Sequence, residues 1–201
     1  MLSGGMDSAI LASYLPRGTK AYTLRAEGEG AENEFEGAAF FADFNDLELH
    51  VVDVSWQDYL DSLTTLMKSK RAPIHSIEPQ IAKALSFAKS QGVEGIVFGE
   101  LADSLFGGLD KLVTSNSEPL KFIERYTFTD PAMILKSPVD VKRAFDPFIR
   151  KGAIDIHAVL ERLFADESLN SYINPCISQG VKLIAPFAGL RMCNTLDIDR
   201  I

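Results

Sequence analysis

Apolar and polar positions alternate along the chain with two different periods, and the switches between them mark its elements. Residues 7–15 carry helical spacing and stop at Pro16 and Gly18, which end a helix. Lys20–Leu24 (KAYTL) reads as a strand. Phe35, Ala38, Ala39 and Ala42 then fall on one helical face. Leu47–Val54 (LELHVVDV) is β-branched and partly alternating, which predicts a second strand. Trp56–Lys70 is predicted as an amphipathic helix with Trp56, Tyr59, Leu60, Leu63 and Leu66 near one stripe. A loop with Pro73 and Pro79 precedes a helix from about Gln80 to Ser90, and Gly95–Gly99 (GIVFG) reads as a short buried strand. Met1-Leu2 fits the last two residues of a further strand.

This βαβαβ order predicts an α/β fold, a parallel sheet with helices on both faces. From Ser117 the pattern becomes helix-like and is punctuated by Pro119, Pro131, Pro138, Pro147 and Pro175. The expected organisation is therefore a nucleotide-binding domain over residues 1–116 and a mostly helical lobe over 117–201. Ligands bind beyond the carboxyl ends of parallel strands, which singles out the loops that start at Ser3 and Gly99.

Composition narrows the setting. Of 201 residues, 20 are Lys or Arg and 28 are Asp or Glu, a net charge of −8 that disfavours long-range attraction to nucleic acid. No stretch approaches the ~18 apolar residues of a membrane span. Cys176 and Cys193 form no CxxC and have no histidine cluster near them, so neither a zinc site nor a disulfide framework is expected. A reducing cytoplasm is the expected compartment.

Chemistry concentrates in two segments. Ser3-Gly4-Gly5-Met6-Asp7-Ser8 stands where a strand would hand over to a helix. Adjacent glycines let the main chain approach a ligand, and their N–H groups can cradle phosphate oxygens, with Ser3 and Ser8 adding hydroxyls. Asp7 would repel phosphate unless a Mg²⁺ ion bridges them. A Gly-Gly turn with Asp7 as a helix N-cap is the competing local reading. Gly99-Glu100-Leu101-Ala102-Asp103 follows the GIVFG strand, and Glu100 and Asp103, three apart, share a helical face. A helix start that favours acidic side chains through its dipole is the alternative there.

SGGMDS matches the pyrophosphate loop of ATP pyrophosphatases. Together with GELADSLFGG it resembles the asparagine synthetase family, which carries SGGxDS and GEGADExFGGY. AENEFEGAAFFADFNDLELHVVDV is similar to that family's helix and following strand, and VKLIAPFAGLRMCNTL resembles its R-x-PFLD segment. The resemblance implies an adenine nucleotide alpha hydrolase-like sheet that adenylates a carboxylate, aspartate by family default. Ammonia then attacks, giving an amide, AMP and pyrophosphate.

Carried over by position, the resemblance implies that Ser3, Gly4, Gly5 and Ser8 hold the β,γ-phosphates of ATP. Asp7 and Asp103 would ligate Mg²⁺. Leu2, Leu24, Phe98 and Gly99 would line the adenosine site, with Glu100 as the base near the reacting centre. Ammonia would come from solution, a glutaminase partner or an upstream domain; no nucleic-acid or membrane partner is expected, and a homo-oligomer is compatible.

Departures cluster on the acceptor side: Leu101 replaces a glycine, Ser104 a glutamate, Leu109 a tyrosine and Gly189 an aspartate. RAPIHSIEP lacks the family's Thr-Thr-x-Arg pattern and offers Arg71 and His75 instead. A C-terminal Lys segment has no counterpart. Two residues before SGGMDS cannot make a strand, so the chain reads as the middle of a larger synthetase.

Two other functions compete. One is a nucleotide-binding module without turnover; the other is a tRNA-modifying pyrophosphate-loop enzyme. The run Glu27, Glu29, Glu32, Glu34, Glu36 reads as a solvated face, or as a flap over ATP. Lys142, Arg143, Arg150 and Lys151 read as solvated. Phe40, Phe41, Phe44, Phe87 and Phe106 are expected in the core.

Overall fold

A computed structural model describes residues 1–27, 34–106, 118–127 and 131–191. Helix α1 (Met6–Ala12) leads to strand β1 (Lys20–Ala26), which pairs in parallel with β2 (Glu48–Val54) in the register Lys20 to Glu48. Between them runs α2 (Phe35–Phe44). Its buried stripe is Ala38 and Ala42, four apart, small enough to bring the helix axis close to the strands.

Helix α3 (Trp56–Lys70) has the predicted bounds because both ends are encoded locally. Ser55 Oγ accepts the Asp58 N–H, the Asp58 carboxylate accepts the Ser55 N–H, and Arg71 ends the helix in the left-handed region at φ 57°. Helix α4 (Ile77–Ser90) starts three residues earlier than expected. Pro79 lies in its first turn, where a missing N–H goes unneeded, so it opens the helix rather than delaying it. Strand β3 (Gly95–Val97) is shorter than predicted, and α5 (Ala102–Phe106) follows it.

Beyond Glu118 the described elements are α6 (Pro119–Thr127), α7 (Pro131–Ile134) and α8 (Lys142–Phe145), then the antiparallel pair β4 (Ile149–Arg150) and β5 (Ala153–Ile154). Helix α9 (Ile156–Val159), a π-helical turn at Leu160–Phe164, and α10 (Ala165–Gln179) come next. Strand β6 (Lys182–Ile184) then pairs in parallel with β3. These short strands have no period-2 signature, which is why the sequence pattern reads as helical there.

Adjacent side chains of β1 point to opposite faces. Ala21 joins Leu2, Ala12, Ala38 and Ala42 on one side, beneath α1 and α2. Tyr22 joins Ile81, Leu85 and Ala88 of α4 and Cys176 of α10 on the other. Met1-Leu2 lies between the two strand pairs: Leu2 N–H donates to the Tyr22 carbonyl at 2.8 Å and the Met1 amine to the Val97 carbonyl at 2.7 Å. A separate core of Phe122, Ile123, Phe145, Phe148, Val159 and neighbours organises residues 118–160.

Helix α10 is tied to α3 and α4 by a buried polar knot. Glu78, 0% exposed, receives Lys70 Nζ at 2.6 Å, the His75 N–H at 2.7 Å and Asn174 Nδ2 at 2.6 Å. Asn174 Nδ2 also donates to the Leu66 carbonyl at the end of α3.

The phenylalanine expectation is corrected. Phe40 and Phe44 are 64% and 76% exposed and stack on each other, while Phe87 and Phe106 are partly exposed. Alanines occupy the buried stripe of α2, which turns Phe40 and Phe44 outward; Phe41 packs at the core's margin. Trp56 and Leu60 are likewise exposed, and Trp56 stacks on Tyr59. Among the described residues no helix is long and apolar enough to cross a membrane.

Candidate active site

The first loop is closed by its own hydroxyls. Ser8 is buried, and its Oγ accepts the Ser3 N–H at 3.1 Å and lies 2.9 Å from Ser3 Oγ and 3.1 Å from the Gly5 carbonyl. Ser3 Oγ accepts the Gly5 N–H at 3.2 Å. Both hydroxyls thus shape the loop, and the N–H groups of Gly4, Met6, Asp7 and Ser8 meet no acceptor among the described residues. Helix α2 presses on this loop: a Cβ on Gly37 would stand 2.6 Å from Gly4 Cα. Only glycine at 37 allows that approach.

The second segment meets the first at Gly99, where a Cβ would stand 3.3 Å from both Asp7 Cβ and Ser8 N. The chain then turns sharply. Leu101 has φ 72°, the left-handed region that favours glycine, at the position where the resembling motif has glycine. The turn carries Glu100 toward the cleft and leaves Asp103 exposed in the first turn of α5.

Glu100 is held by a helix far along the chain. Ser168 Oγ donates to Glu100 Oε1, and Tyr172, one helical turn further along α10, lines the same cleft as Glu100. Burial, then the neighbouring Glu100 charge, pushes the Tyr172 phenol well above its ordinary range, so it remains a proton donor. Its ring packs edge-on against Phe98 with centroids 4.9 Å apart.

These parts enclose a cleft of about 260 Å³. Leu2, Leu24, Ile77, Ile81 and Phe98 form its apolar wall, and Ser3, Asp7, Ser8, Gly99 and Glu100 its polar end. Burial raises the pKa of Asp7, and the charges of Asp103 and Glu100 raise it further. Three carboxylates therefore send negative potential to one spot, which a cation would relieve. Among the described residues no three carboxylate, histidine or cysteine side chains form a ready cation cage.

Of the residues singled out from the sequence, Leu2, Ser3, Asp7, Ser8, Leu24, Phe98, Gly99 and Glu100 line this cleft. Gly4, Gly5 and Asp103 border it without lining it. Arg71 and His75 lie elsewhere, at the turn between α3 and α4: Arg71 caps α3 and His75 is exposed, its N–H donated to Glu78. Glu34 of the acidic run lines the cleft, while Glu29, Glu32, Gly107, Gly108 and Leu109 lie outside the described residues. Gly189 ends a short 3₁₀ turn whose Phe187 packs on Phe106.

Sequence reasoning missed Thr23, Gly37, Ser168 and Tyr172. Ser168 and Tyr172 stand four apart on α10, a spacing visible in the sequence, but nothing there names Glu100 as their partner.

Comparison with known families places this geometry. The family model for asparagine synthase matches residues 1–151, which include both loops. No curated protein matches the chain. With three quarters of its length covered by that model and both loops brought to one cleft, the chain belongs to the asparagine synthase family, whose chemistry is ATP-dependent amide-bond synthesis.

Proposed function

We propose that the cleft binds ATP and a small carboxylate, aspartate by family default, and converts that carboxylate to its amide with release of AMP and pyrophosphate. The observation that carries this reading is the meeting of the two motif loops at Gly99 and Asp7, at the carboxyl ends of parallel strands. It is also the arrangement expected of an adenine nucleotide alpha hydrolase-like domain over residues 1–116, with residues 117–201 as the helical lobe.

In this reading the apolar wall of Leu2, Leu24 and Phe98 takes the adenosine, with Gly99 leaving room for it. The free N–H groups of Gly4, Met6, Asp7 and Ser8 point to phosphate oxygens, while the Ser3 and Ser8 hydroxyls keep the loop in shape. Asp7 and Asp103 would hold Mg²⁺, which supplies charge neutralisation at the phosphates.

A carboxylate oxygen of the substrate attacks the α-phosphorus, and the bond to pyrophosphate breaks. Ammonia then forms a C–N bond at the acyl carbon and AMP leaves. Glu100 accepts the proton that the attacking nitrogen must lose. Ammonia would come from solution, a glutaminase partner or an upstream domain, in a cytoplasmic setting.

The test is carboxylate-dependent exchange of labelled pyrophosphate into ATP. Asp7→Asn or Asp103→Asn should lower exchange at least ~100-fold, the scale of a lost transition-state electrostatic partner. Exchange that survives both substitutions removes the metal assignment.

A further inference from the structure

Glu100 is bonded from α10 by the Ser168 hydroxyl, 68 residues further along the chain, and Tyr172, 72 residues further, lines the same cleft. We propose that Ser168 and Tyr172 are positioning residues that aim Glu100 at the attacking nitrogen. The inference rests on the function proposed above and assigns to α10 a part in the amide-forming step alone.

The argument begins with geometry. Glu100 follows Gly99 and precedes Leu101, which is held at φ 72°. A carboxylate at such a turn has no helix or strand of its own to set its direction. Helix α10 supplies that direction: Ser168 Oγ donates to the Glu100 carboxylate, and Tyr172, four residues on, stands on the same helix face and lines the cleft. A base must lie within about 3 Å of the proton it takes, so a free rotation of Glu100 would lose the proton-transfer geometry without altering the binding of ATP.

The clamp is itself anchored. Asn174, two residues beyond Tyr172, donates to buried Glu78 and to the Leu66 carbonyl, which fixes the height of α10 against α3 and α4. Tyr172 also packs edge-on against Phe98, which fixes its ring in the cleft that Glu100 lines. Ser168 does not line the cleft, so its contribution passes through Glu100 rather than through contact with a substrate.

The proposal predicts a split between the two half-reactions. Ser168→Ala should reduce the ratio of amide formed to pyrophosphate exchanged by ~10-fold, below the full value of a general base because Tyr172 remains. Adding Tyr172→Phe, which keeps the ring, should lower that ratio further, and Ser168→Thr should restore it. Parallel losses in exchange and amide formation, or no loss in either, overturn the clamp.

A wild-type chain that shows no carboxylate-dependent exchange overturns the adenylation reading instead. The clamp is then decided by crystal structures of the wild type and the double variant. Glu100 bonded to Ser168 in the first and rotated in the second supports it; an unbonded or unmoved Glu100 overturns it.

Discussion

The two loops that meet at the cleft are built in opposite ways. The Ser3–Ser8 loop is closed by hydrogen bonds between residues no more than five apart, so its shape is written into six consecutive positions. The Gly99–Asp103 segment has a backbone turned by Leu101 and a carboxylate held by α10, so its active geometry depends on a helix that folds back from the far part of the chain. A ligand-cradling backbone can be encoded locally because short-range hydroxyls and glycines suffice. The direction of one carboxylate at a sharp turn needs tertiary support.

The strongest way to break that contrast is at Glu78. Glu78→Ala leaves Lys70 without its buried partner and frees Asn174, and α10 should loosen with a loss of about 3–5 kcal/mol. Chemical denaturation measures the loss. Protection of the α10 amides from hydrogen exchange should fall more than that of α1; equal loss in both would show that the two loops share one support.

Gly37→Ala tests the first loop from outside. The new methyl would collide with Gly4 Cα, a backbone atom that cannot swing away, so stability should drop by about 1–3 kcal/mol with the Ser3–Ser8 loop displaced. A neutral change in the unfolding midpoint would mean that α2 can retreat without cost.

The smallest effect sharpens the electrostatic side. The pKa of Asp7 is raised in the folded chain, so between its unfolded value of 3.8 and that folded value the native state binds more protons than the unfolded state. Its contribution to stability is therefore complete below pH 3.8 and lost as pH rises through the folded value. Without ligand, Asp7→Asn should gain on the wild type as pH goes from 4 to 7, by ~0.5 kcal/mol or less given its partial exposure to solvent. Melting temperatures compared across that range decide it, and a gap that narrows with pH would show that the carboxylates do not repel.

Much of this was readable before any coordinates. The periodicities of Lys20–Leu24, Leu47–Val54 and Trp56–Lys70 match β1, β2 and α3 because each has an apolar pattern or a cap within its own length. Five residues of the two motifs, Ser3, Asp7, Ser8, Gly99 and Glu100, fall in one cleft, since both motif loops lie at the carboxyl-end side of the parallel strand pairs. The aromatic core assignment failed at Phe40 and Phe44 because hydrophobicity does not say which face of α2 is covered; the packing distance selected Ala38 and Ala42. β6 was missed because three residues hold no pattern, and only its pairing with β3 defines it.

The sequence by itself determined the alternation of strands and helices, the two loops and the glycines, hydroxyls and carboxylates they carry. Those depend on neighbours within a few positions. The tertiary structure alone decided that α2 needs Gly37 in order to reach the first loop. It alone decided that Glu78 ties α10 in place, and that Ser168 bonds the Glu100 carboxylate. Each of those rests on a contact between residues more than thirty positions apart, and no local pattern specifies which distant groups a packed chain will bring together.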